Sequence, residues 1–171
     1  MNGPRHSISV VLMGVSGAGK TTVGLEAAAL AGVRFLDADD LHSPANVEKM
    51  RSGIPLTDED RAPWLDAVAA SLRDDAPCIM ACSALRRSYR DRLRQDAPLT
   101  AFVLLRATRE LLSERLAGRT GHFMTEQLLD SQLATLDDPE DDEVVIEVDA
   151  ARSVESLAEE IAAVFDRPLL G

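Results

Sequence analysis

The sequence predicts a three-layer α/β domain built on a five-stranded parallel sheet. Short apolar runs alternate with longer helical patterns along most of the chain, which is the signature of strand–helix–strand crossovers. The runs are nearly continuous in hydrophobicity, as expected of strands covered on both faces. A glycine-rich turn follows the first run and opens a helix, a junction characteristic of open sheets that bind phosphate. With 171 residues, the chain suits a single domain over 1–171 with its own core.

The first strand is expected at 8–13, and the helix behind the glycine turn runs to about residue 31. Residues 34–37 form a short second strand that ends in acids, and 77–82, 101–105 and 144–148 supply the other three. Helices are expected at 58–74, 84–95, 108–117, 125–136 and 153–165. Thr57, Ser83, Thr108 and Ser153 are positioned as N-caps, since a side-chain oxygen there accepts from a free first-turn amide. The acidic stretch 137–143 reads as a solvated surface turn, and 167–171 as a frayed tail.

Composition removes several function classes. Hydrophobic residues make up 46% and charged residues 27%, and no apolar run approaches the ~20 residues of a membrane span. Residues 1–7 lack the apolar core of a secretory leader. A net charge of −11 repels polyanions, so nucleic acid is not an expected partner. These features predict a cytoplasmic protein with no membrane partner. Cys78 and Cys82 lie in an apolar run without metal-ligand spacing and read as buried thiols.

Gly14-Val15-Ser16-Gly17-Ala18-Gly19-Lys20-Thr21 matches G-x-x-x-x-G-K-[ST] without a mismatch, between a strand and a helix. Such a P-loop curls its amides around phosphate oxygens while the helix adds its positive end. Lys20 is one of only two lysines in the chain and is placed to reach the β- and γ-phosphates of ATP. Thr21 offers a hydroxyl to Mg²⁺, and Thr22 completes the nucleotide-binding set. The GTPase signatures Asp-x-x-Gly and Asn-Lys-x-Asp are absent, and the third strand ends Ala81-Cys82-Ser83 without an acid. The metal's carboxylate must therefore come from elsewhere.

Asp37 and Asp39 lie at the C-terminal end of the second strand, where open α/β sheets bind ligands. Asp37 is the candidate for the Mg²⁺ shell, and Asp39 the candidate to orient or deprotonate a substrate hydroxyl. Arg86 and Arg90, four apart in an expected helix, are candidates to hold an anionic substrate. Residues 115–123, with Arg115 and Arg119 about one turn apart and glycines at 118 and 121, read as a lid that brings an arginine to the transferred phosphoryl group. The lid is expected at about 118–125.

Beyond these patterns, the chain resembles the gluconate kinase family of small P-loop sugar-acid kinases over about residues 10–149. The blocks that carry the resemblance are Leu36-Asp37-Ala38-Asp39-Asp40-Leu41-His42, Asn46-Val47-Glu48-Lys49-Met50 and Gly53-Ile54-Pro55-Leu56-Thr57-Asp58-Glu59-Asp60-Arg61. Pro63-Trp64-Leu65, the run from Cys82 to Asp91 and Gly121-His122-Phe123-Met124 complete them. The resemblance implies a fold akin to shikimate and adenylate kinases, a closing lid, a homodimer, and ATP-dependent phosphorylation of D-gluconate at its 6-hydroxyl. It also implies that Asp39, His42, Lys49, Arg86, Arg90, His122 and Gln132 contact the substrate. Arg119 would then be the lid arginine at the phosphates, and Arg115 would stack on adenine. Lysine is common in the family where this chain has Arg86 and Arg87, which preserves charge but changes donor geometry. Two other readings stay open: a kinase for a different small anion such as shikimate, and a non-catalytic ATP-binding regulator.

Overall fold

The computed structural model describes residues 8–118 and 125–167. The chain runs β1 (Ser9–Met13), α1 (Lys20–Ala31), β2 (Arg34–Asp37), a 3-10 turn (Ala38–Leu41), α2 (Pro44–Arg51), α3 (Asp58–Asp74) and β3 (Cys78–Ala81). It continues through α4 (Arg87–Asp96), β4 (Thr100–Arg106), α5 (Arg109–Ala117), α6 (Glu126–Thr135), β5 (Ile146–Asp149), α7 (Val154–Ala162) and a final 3-10 turn (Ala163–Asp166). All strand pairs are parallel, in the order β2-β3-β1-β4-β5.

Alternation along β1 divides the core into two halves. Val10 and Leu12 point into one half, with Val23 and Ala27 of α1 and Leu157 and Ile161 of α7. Val11 and Met13 point into the other, with Leu65, Val68 and Leu72 of α3 and Leu93 of α4. Strands β1 and β3 are buried on both faces, as their continuous hydrophobicity required, whereas the edge strands β2 and β5 stay partly exposed, and Val144 of the expected fifth strand lies outside β5 and is 86% exposed. Gly24 allows α1 to approach β2 closely, because a Cβ there would lie 2.5 Å from the Phe35 ring.

Three of the expected caps form. Thr57, Thr108 and Ser153 each accept from an amide three residues on, and Thr57 completes a capping box with Asp60. Ser83 does not cap a helix, which corrects the expected start at 84. Its carbonyl accepts from the Gly14 amide, Ala84 turns into the left-handed region at φ +45, and α4 begins only at Arg87. The first-turn amide of Arg87 is taken instead by Asp137, fifty positions away.

Helix α2 is not among the expected helices, because it has no apolar stripe and buries only Asn46. Ser43 as N-cap and Pro44 at its first position were the signals available. The acidic stretch 137–143 is also not simply a solvated turn. Glu143 is buried between Arg90 and Arg94, and Asp142 and Glu140 pair with Arg87.

Candidate active site

The central strand β1 delivers Gly14–Thr21 to the C-terminal edge of the sheet, between the ends of β3 and β4. Gly14, Gly17 and Gly19 all have positive φ, at 146°, 87° and 102°, so the loop winds back on itself where other residues would be strained. Among the described residues the amides of Gly17, Gly19, Lys20 and Thr21 find no acceptor, leaving a cluster of donors at the start of α1. This is the donor set that phosphate oxygens require.

Side chains from distant elements brace the loop. Arg115 of α5 donates to the carbonyls of Gly17 at 2.9 Å and Ala18 at 3.0 Å, and to Ala150 behind β5 at 2.8 Å. Gln132 of α6 accepts the Ser16 amide at 2.8 Å. Gln132, expected against the substrate, therefore lies on the phosphate loop, and Arg115 grips the same loop.

Lys20 Nζ donates to the carbonyls of Gly14 at 2.8 Å and Val15 at 3.2 Å. Burial lowers its pKa, while the nearby Cys82, Asp39 and Asp37 oppose that shift. The lysine after β1 and the acids after β2 therefore share one electrostatic neighbourhood. Asp37 caps the 3-10 turn by accepting the Asp39 amide at 2.9 Å. Asp39 is held above the usual carboxylate range, first by desolvation and then by the charge of Asp37. Cys82 lines the same floor, its thiol pushed up to about 12 by burial, and both cysteines are buried and free as expected.

His42 stacks on Trp64 with ring centroids 4.5 Å apart and planes 8° from parallel. Trp64 is fixed from behind by donating Nε1–H to the Ala38 carbonyl at 2.7 Å, so a core tryptophan also backs His42. Burial lowers the pKa of His42, which favours its neutral form. Lys49 is tied to both oxygens of Asp60 at 2.9 Å, an ion pair at the edge of this region.

Arg90 does not face the cleft. It is fully buried, and its five donors go to Glu143, to the carbonyls of Ala84 and Leu85, and to that of Asp137. The shared face expected of Arg86 and Arg90 is lost because Arg86 precedes α4 in an extended conformation. Arg86 itself stays exposed near Tyr89. Arg119 and His122, and most of the expected lid, lie outside the described residues. A groove of about 760 Å³ along Leu99, Phe102, Val144 and Ile146 lies by the N-terminal end of β4, away from this chemistry.

Fold and site together define a small P-loop kinase. A family model described as AAA domain matches residues 10–139. The chain is 48% identical to the gluconokinase of Gluconobacter oxydans over 156 residues, covering 89% of this chain and 88% of that protein. It superposes on the crystal structure of a gluconokinase from Sinorhizobium meliloti with a TM-score of 0.84 at 46% identity, covering 94% and 93% of the two chains. A shikimate kinase from Acinetobacter baumannii shares the fold, with a TM-score of 0.59 at 22% identity over 98% and 97% of the chains. The chain belongs to the gluconokinase family, within the P-loop proteins that the AAA-domain model describes.

Proposed function

We propose that the protein transfers the γ-phosphoryl group of ATP to the 6-hydroxyl of D-gluconate, giving 6-phosphogluconate and ADP. The observation that carries the reading is the meeting of Lys20 with Asp37 and Asp39 beside a glycine-lined cluster of free amides. The sugar acid comes from the relatives' names, and the chemistry from these residues.

In this reading the amides of Gly17 to Thr21 and the Lys20 ammonium hold the phosphates and balance the charge that spreads over the transferred oxygens. Asp39 accepts the proton of the attacking hydroxyl as the new O–P bond forms and the bond to the ADP oxygen breaks. Its raised pKa makes it a stronger base than a solvated aspartate. His42, on its Trp64 backing, forms the wall along which the polyol lies. Arg115 and Gln132 act as positioning residues that keep the loop curled. Arg119 and His122 are retained from the resemblance as the lid arginine and a substrate contact.

The oxygen ligands here suit Mg²⁺. Thr21 and Asp37 are hard donors, suited to a cation that completes its shell with nucleotide phosphates and water. Bound there, Mg²⁺ would neutralise phosphate charge. The reading also includes a homodimer working in the cytoplasm. Among the described residues no helix is long and apolar enough to cross a membrane.

A coupled assay of ADP release tests the reading across gluconate, other sugar acids, shikimate and nucleoside monophosphates. Gluconate is expected to give the highest kcat/KM, and Lys20→Ala to lower turnover at least about 10²-fold with circular dichroism unchanged. Preference for shikimate would replace the substrate, and ATP binding without acceptor-dependent turnover would favour a regulator.

A further inference from the structure

Removing Arg90 from the cleft leaves the acceptor's negative charge in need of a different partner. Most other cations near the site are engaged, and Arg86, though without a side-chain hydrogen bond among the described residues, is exposed and unbraced. Lys49 is held by Asp60, Arg87 by Asp142 and Glu140, and Arg115 by three carbonyls. Arg61 of α3 differs from these. Only its Nη1 is used, donating to the Leu56 carbonyl at 2.8 Å and the Tyr89 hydroxyl at 3.2 Å. Among the described residues Nε and Nη2 make no hydrogen bond. Its nearest acid, Asp58, lies 3.9 Å away and is itself mostly exposed, so that pairing is weak.

Arg61 is also held in place. Tyr89 of α4 accepts from it and donates its own hydroxyl hydrogen bond to Asp58 at 2.9 Å, and the guanidinium sits 5.6 Å from the Tyr89 ring centre. One helical turn on from Arg61, Trp64 carries the stacked His42. The imidazole feels Asp39 and Arg61 as its two charged neighbours. Base, aromatic ring and guanidinium therefore share one neighbourhood, which suits an acceptor with an alcohol at one end and a carboxylate at the other.

We propose that Arg61, oriented by Tyr89, is the anchor for the acceptor's carboxylate, taking it through the Nε–Nη2 edge while Asp39 engages the distal hydroxyl. The anchor rests on the gluconate reading above and adds the feature that separates a sugar acid from an uncharged polyol. A planar fork presented this way matches two carboxylate oxygens, whereas Lys offers one charge without that geometry.

The test compares gluconate with D-glucitol, the same six-carbon chain bearing an alcohol in place of the carboxylate. In Arg61→Leu the KM for gluconate is expected to rise about 10- to 100-fold, while the KM for ATP stays within about twofold. The preference for gluconate over glucitol in kcat/KM should fall by a similar factor. Arg61→Lys should recover part of it, and Tyr89→Phe should show a smaller loss in the same direction. Arg61→Gln is measured alongside, with thermal melts, so that a folding defect in one variant does not decide the matter. An unchanged gluconate KM in folded Arg61→Leu and Arg61→Gln, or an equal loss for both acceptors, overturns the anchor while leaving the kinase reading intact. A wild-type enzyme inert with gluconate overturns both.

Discussion

Asp39 combines a proton-accepting role with an environment that makes it more basic. Desolvation and the adjacent Asp37 raise its pKa, while Lys20 and His42 restrain the rise. Asp39→Asn keeps the shape and removes the base, so kcat should fall about 10²-fold or more in steady-state assays. The deprotonated form is the active one, so activity is lost as pH falls through the raised pKa, and the acid limb of kcat/KM should lie above that of an ordinary aspartate near 3.8. A limb no higher than that of an ordinary aspartate would exclude Asp39 as the titrating group. Lys20, Asp37 and Asp39 were legible because each lies in a short local pattern at the end of a strand. Arg61 was not singled out, because its significance comes from Tyr89 and His42, which belong to other elements.

Helix α4 shows where local spacing misleads. Arg86 and Arg90 fall four apart, and a helix from 84 would have aligned them. The left-handed Ala84 delays the helix, and Arg90 instead ties that turn to Glu143, 53 positions away. Nothing local in the sequence marks so distant a partner. The pair is almost wholly buried, with side-chain exposures of 0% and 1%. Arg90→Met leaves the buried Glu143 carboxylate with Arg94 alone and should cost up to about 3–5 kcal/mol in urea denaturation. Adding Glu143→Leu should restore part of that loss, since the under-paired charge, more than the missing pair, sets the penalty. A double variant no more stable than the single would contradict this account. Helix α2 escaped notice for the opposite reason: it is capped and opened by proline, yet buries almost nothing apolar.

At the scale of the molecule, alternation of strands and helices was sufficient to forecast the parallel sheet, because the central strands are apolar on both sides. The order β2-β3-β1-β4-β5 was less accessible, since pairing depends on which loops must meet above the sheet. That order sets the Gly14 turn beside the end of β3, where its amide reaches Ser83, and brings β2's acids near Lys20. The overall charge of −11 then acts as a background against which a few held arginines stand out to an anion.

The middle position of β1 also has a kinetic consequence. Residues Val10 to Leu12 are 0% exposed and paired on both flanks, so their amides should meet deuterium only through the rarest, most global openings. The nucleotide cradle thus hangs from the strand expected to exchange slowest. Labelling followed by mass spectrometry should find β1 protected for longest, while edge strands β2 and β5 exchange earlier, so breathing at the rim would leave the grip on phosphate undisturbed.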